Sequence, residues 1–247
     1  MDTRLRLNIL PQPDDFTCGP TCLHAVYRYY GLDLSLGEVI AGTPRLKNGG
    51  TLAVHLACKA LRRGFHARIY TYNLQIFDPT WFPYQPKRLQ TKLKAQAEHK
   101  RGNRLHASTE AYMEFLELGG ELRYEDLSRS LIRRYLNQET PVLTGLSATY
   151  LYAQAREYGP NDDFDDIRGE PSGHFVVLCG YDRENRTVLV ADPLHPNPMG
   201  NKQYYEVSMD RLISAVLLGV LTYDANLLII QPKGRKAHTH EDPRRSE

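Results

Sequence analysis

Apolar positions recur at helical spacing through the first third of the chain and in short alternating or continuous runs through the last. After Cys18, the positions Cys22, Leu23, Val26, Tyr27 and Tyr30 share one helical face, with Pro20 in a first turn that tolerates a missing N–H and Gly31 as the stop. Ser35 to Ala41 reads as a short helix. Thr51 caps a clearer one to Arg63, with Leu52, Leu56, Ala60 and Leu61 inward and His55, Lys59, Arg62 and Arg63 outward. Gly64 ends it, and Phe65 to Tyr72 alternates as a strand does. Tyr124 to Leu136 repeats the amphipathic helical pattern. Strand-like runs follow at Pro141 to Leu146, His174 to Tyr181, Thr187 to Ala191, Gln203 to Val207 and Asn226 to Gln231, with Met209 to Leu218 as a late helix. Helices first and strands second predict an α+β fold, N-terminal helices packed on a C-terminal antiparallel sheet.

Two segments interrupt this pattern. Residues 74–123 hold a stretch rich in proline and aromatics, a basic helix, and a second helix from Thr109 to Leu118, and read as a helical insertion. From Lys87 to Arg104 there are seven Lys or Arg against Glu98, but no interleaved aromatics of the kind that read RNA, so a solvated helix face is preferred and no nucleic-acid partner is expected. Residues 147–172 read as an acidic loop, with six acidic residues from Glu157 to Glu170 against Arg168. Its place just ahead of His174 predicts a lid or a substrate rim. Residues 1–232 are thus expected to form one elaborated domain, and 233–247, polar and aperiodic, a disordered tail.

Composition changes the picture little. At 247 residues with a net charge of +2 the chain can bury a substantial core and has no bulk attraction for polyanions. No run of 18 apolar residues exists, so no membrane span is expected, and Met1 to Leu10 is too short and charged for a signal peptide. A cytoplasmic location is expected. The four cysteines are then expected to be reduced, with Cys22, Cys58 and Cys179 in the core.

The remaining cysteine carries the candidate chemistry. Cys18 opens a helix six residues after Gln12 in Gln-Pro-Asp-Asp-Phe-Thr-Cys-Gly-Pro-Thr-Cys, and far downstream stand Gly173-His174-Phe175-Val176-Val177 and Ala191-Asp192-Pro193. A thiol attacks as its thiolate, which a helix N-terminus and a neighbouring imidazolium both stabilise. His174 would take the thiol proton and return it to the leaving group, and Asp192 would orient its ring. The Gln12 amide and the Cys18 backbone N–H are candidate donors for a tetrahedral oxyanion. For Asp192 to share a face with His174 across the hairpin, an odd-length loop or one bulge must pair it with Val176; a symmetric turn would pair it with Val177 and put the two on opposite faces.

These residues, with Gly50-Thr51-Leu52, Leu56, Leu61, Gly64 and Pro141-Val142, resemble the C39 group of papain-like bacterial cysteine peptidases. Thr17 stands where exporter-linked members usually carry Asp, and no G-x-x-x-x-G-K-S/T motif occurs, so Cys-Gly-Pro-Thr is closer to the free-standing branch. The resemblance implies a papain-like fold with Cys18 as nucleophile, His174 as base, Asp192 as orienting residue and Gln12 at the oxyanion hole. It implies a peptide or protein substrate and no metal or other cofactor. The expected reaction is hydrolysis of a peptide or amide bond through an acyl-enzyme. The alternatives are transfer of the acyl group to an amine and a non-catalytic module that holds a peptide in the same cleft.

Overall fold

Cys18–Tyr29 forms α1, and every residue from Cys18 to Tyr27 is buried. A helix enclosed on all sides belongs inside a core, and two of its polar members find partners there: Thr21 Oγ1 donates to the Thr17 carbonyl at 2.8 Å and the His24 ring meets the Leu34 carbonyl at 3.0 Å. Gly31, at φ 80°, ends the segment in a conformation that suits glycine. A computed structural model describes residues 2–46, 49–82, 85–200 and 202–234. The tail expected from 233 onward lies outside the described residues except for a turn at 233–234, and so do Pro83 and Tyr84 of the aromatic stretch.

Leu36–Ala41 forms α2, closed by a capping box between Ser35 and Glu38, and Ala53–Arg62 forms α3. The expected Thr51 cap is not used. Leu52 holds the cap position of α3, and the Thr51 hydroxyl instead donates to the Pro44 carbonyl at 2.8 Å. Phe65–Thr71 forms β2, after a two-residue β1 at Thr3–Arg4. Within residues 74–123, Pro86–His99 forms α4, Asn103–Glu117 forms α5 and Glu121–Arg123 forms β3. Leu89, Leu93 and Phe115 carry this segment into the same core as α1 and α3, rather than into a separate one.

Arg129–Asn137 forms α6, starting later than Tyr124 because the Ser128 hydroxyl accepts from the Leu131 N–H and fixes the cap there. Val142–Ser147 forms β4. The acidic segment is more ordered than a loop: Ala148–Tyr152 forms α7, and Glu157–Tyr158 (β5) pairs with Asp163–Phe164 (β6). Gly173–Asp182 (β7), Thr187–Ala191 (β8), Tyr204–Ser208 (β9), Met209–Leu218 (α8) and Asn226–Pro232 (β10) complete the chain.

The main sheet has eight strands in the order β3-β2-β10-β4-β7-β8-β9, with β1 paired beside β7. Its pairs are antiparallel except β2 with β3, so the N-terminal strand β2 joins the C-terminal sheet through β10. β4 is buried along its whole length and β7 from His174 to Tyr181, which requires cover on both faces, whereas β9 alternates as an edge strand with one open face.

Candidate active site

Cys18 is the first residue of α1 and sits where the helix meets β7. Thr17, at the cap position, turns its hydroxyl to the Asp14 carbonyl at 3.0 Å and makes no cap bond, so no side chain covers the first turn. The positive end of the helix is left facing the thiol. Gly19 lets α1 approach: a Cβ there would lie 2.7 Å from Thr51 Cγ2 and 3.2 Å from the Phe175 ring.

His174 enters from β7 and Asp192 from just beyond β8. The turn between these strands spans four residues, since Asp182 pairs with Thr187, and alone it would set Asp192 on the wrong face. A bulge between Leu178 and Gly180 corrects this by pairing Val177 with Ala191, which puts Asp192 opposite Val176. The extra residue is Cys179. Its carbonyl accepts the Leu5 N–H at 2.7 Å, so the N-terminal segment satisfies the group that the bulge leaves unpaired.

With this register, His174 Nε2 lies 2.8 Å from Asp192 Oδ1. The other ring nitrogen is left for Cys18, which lines the same cleft. Burial pushes the imidazole down, but the Asp192 carboxylate and Cys18 outweigh it and lift His174 to about 10. Asp192 is fully buried, and its carboxylate accepts three further bonds: from the Leu194 N–H at 2.9 Å, the Tyr152 hydroxyl at 2.7 Å and the Tyr205 hydroxyl at 2.6 Å. Burial alone would raise its pKa; the His174 charge and these hydroxyls hold it below the usual carboxylate range. Burial and the Asp192 charge push both phenols up, so they stay protonated as donors. Tyr152 and Tyr205 belong to this hydrogen-bonded cluster, and the motif reading missed them. No local spacing marks them: one ends a short helix and the other is an inward position of an edge strand.

Gln12 lines the same cleft as Cys18 and His174, a cavity of about 710 Å³. Its Nε2 donates to the Asp14 carbonyl at 3.0 Å, while Oε1 is buried without a partner. The backbone N–H of Gln12 donates to Pro193 at 2.8 Å, tying the loop before Cys18 to the residue after Asp192. The structure therefore brings all four expected side chains to one place. The other cysteines, Cys22, Cys58 and Cys179, are buried and unbridged.

Residues 4–213 match the Peptidase_C39 like family. The chain belongs to that family. Its helices pack on an eight-stranded mixed sheet, the α+β class expected from the sequence. No curated protein matches the chain in sequence. Among solved structures, a double glycine motif protease from an AMS/PCAT transporter, in complex with its leader peptide, is similar to this C39-like chain at 14% identity and a TM-score of 0.44, covering 94% of this chain and 96% of that one. The peptidase domain of Streptococcus ComA, a bifunctional ABC transporter of a quorum-sensing pathway, is similar at 15% identity and a TM-score of 0.42, over 92% and 100% of the two chains. Among the described residues of this C39-like protein, no helix is long and apolar enough to cross a membrane.

Proposed function

We propose that this C39-like protein is a cysteine peptidase in which Cys18 attacks the carbonyl of a peptide or amide bond. The observation that carries this reading is the buried His174 ring, bonded to Asp192 through Nε2 and sharing the wall of an open cleft with Cys18. The raised affinity of His174 for a proton suits the ring to take the thiol proton as Cys18 attacks. After attack, the oxyanion would take the Cys18 backbone N–H and the second N–H of the Gln12 amide, whose first is committed to Asp14. His174 would then protonate the leaving amine, giving an acyl-enzyme that water hydrolyses. Throughout, Asp192 stays ionised, and the two phenols that hold it fix the ring plane.

We read residues 1–232 as one peptidase domain, with 74–123 inserted and 147–172 at the substrate rim. Phe164, Glu157 and Asp162 of the rim segment line the cleft, in keeping with that role. Four unbridged thiols fit a reducing compartment such as the cytoplasm.

Limiting iodoacetamide at pH 6, read by intact mass and peptide mapping, tests the pair. Cys18 is expected to be modified ahead of the other three cysteines, and the reaction to be lost in His174→Ala. Equal labelling of the two proteins would overturn the thiolate–imidazolium reading. Added amine that diverts product from hydrolysis would show the acyl group passing to a nitrogen acceptor instead of water.

A further inference from the structure

The proposed chemistry uses one buried carboxylate, Asp192, behind the His174 ring. A second, Asp224, stands on the cleft wall with Gly173 and takes no part in it; it is 6% exposed. The fold is built around this side chain. Its neighbours Tyr223 and Ala225 have φ of 66° and 50°, a left-handed region that non-glycine residues occupy only under strain. Three backbone bonds hold the segment there: Tyr223 N–H to Val220 at 3.2 Å, Asp224 N–H to Gly219 at 2.9 Å, and Tyr72 N–H to Ala225 at 2.8 Å.

Two adjacent strands leave room for the carboxylate. A Cβ at Gly173 would lie 2.7 Å from Oδ2, and one at Gly145 would lie 2.9 Å from Oδ1. Oδ2 is 3.0 Å from the Thr222 hydroxyl, but that hydroxyl is also 3.1 Å from the Gly219 carbonyl and has one proton for both. No donor reaches Oδ1 among the described residues. Arg104 of α5 lines the same wall, yet its guanidinium lies over the Tyr223 ring at 5.5 Å, its Nε is buried without a partner, and it makes no ion pair with Asp224 among the described residues. Burial accordingly lifts the Asp224 carboxyl to about 7, against the pull of Thr222, Arg104 and His174. Asp15, Glu157 and Asp162 also line the cleft, against Arg104 alone among Lys and Arg of the described lining.

A buried carboxylate with an unserved oxygen, on the wall of a cleft whose charged lining residues are mostly acidic, is a receptor for a cation. We infer that Asp224 is a specificity residue that receives a positively charged group of the peptide substrate, either a lysine or arginine side chain or a free amino terminus. This rests on the cysteine-peptidase reading, and it selects which peptides that site accepts.

The test uses tripeptidyl acyloxymethyl ketones, in which the thiolate displaces a carboxylate and leaves a thioether on Cys18. Lys, Gln or Glu is placed at each of the three positions in turn, with the amino terminus free or acetylated. At one position, or at the free terminus, the cationic reagent is expected to inactivate the protein at least about tenfold faster than its anionic or acetylated counterpart. In Asp224→Asn that ratio is expected to fall to within about threefold, and in Arg104→Gln, which removes a competing cation without touching the buried carboxylate, to rise. A dominant effect at a side-chain position identifies Lys or Arg as the group received, and one at the free terminus identifies an amino-terminal residue.

A wild-type protein without charge preference, or a preference undiminished in folded Asp224→Asn, overturns the assignment; if that variant does not fold, an unchanged or lowered ratio in Arg104→Gln does so. Iodoacetamide at pH 6 separates the two readings. Labelling of Cys18 without charge preference among the ketones sinks the Asp224 assignment alone, whereas no reaction of Cys18 with any reagent sinks both.

Discussion

Asp192 and Asp224 are both buried, yet their surroundings push them in opposite directions. Four donors converge on Asp192 and hold it ionised. Asp224 has one hydroxyl, shared with a carbonyl, and burial lifts it to about 7. Burial alone therefore does not set the state of a carboxylate; the donors within reach do. A carboxylate whose lone pairs are all taken can only hold other groups in place. One that is short of donors keeps capacity for a ligand.

The contrast breaks most visibly at Asp192. Asp192→Ala would leave the His174 ring, two phenols and the Leu194 N–H without their acceptor, and removing one partner of a buried pair costs about 3–5 kcal/mol. A melting temperature lowered by about 10 °C or more is expected, together with loss of Cys18 labelling at pH 6. A variant that melts like the wild type would show that the cage carries no strain of unpaired groups.

The pH dependence of the two acids sharpens the comparison, because their slopes have opposite sign. Asp224 is raised in the fold, so its stability contribution is fully present below the unfolded value of about 3.9 and is lost as pH rises through about 7. Asp224→Asn should therefore gain on the wild type between pH 4.5 and 8, by an amount on the order of a few kcal/mol. Asp192 is lowered, so its contribution is present above about 3.9 and is lost as pH falls below that. Chemical denaturation of both proteins at several pH values checks this; a constant gap would mean that Asp224 is not displaced from its ordinary titration.

The smallest effects are expected from the phenols. Tyr152→Phe or Tyr205→Phe removes one bond to a charged acceptor, worth about 1.5–3 kcal/mol. Labelling at pH 6 is expected to slow several-fold in each, less than in Asp192→Ala. If either phenol is silent in both measurements, three donors suffice to hold Asp192.

Much of this arrangement was readable from local patterns. The α1 face from Cys22 to Tyr27, the stop at Gly31 and the strands carrying His174 and Asp192 depend on periodicity and nearby breakers, and they fall where the pattern puts them. Elements decided by distant contacts were not readable. β2 found its neighbour in β10, more than 150 residues later, whereas the Ser128 cap of α6 and the Thr51 bond to Pro44 are short-range choices that periodicity does not single out. Within the cleft, the Gln12, Cys18, His174 and Asp192 set stood out as residue types in sequence order. Tyr152, Tyr205 and Asp224 did not, because the surroundings of each are assembled only when folding brings distant segments together.

The one-residue bulge at Cys179 gives the β7–β8 hairpin the character of a parity check. Side chains on a strand alternate faces, so a single residue added to or removed from this hairpin in a way that shifts the pairing would turn His174 and Asp192 away from each other, while two such changes restore them. Drift in hairpin length is therefore tolerated only in compensating pairs. Grafting the site onto another scaffold would need the same count, odd against even, before any side chain is chosen.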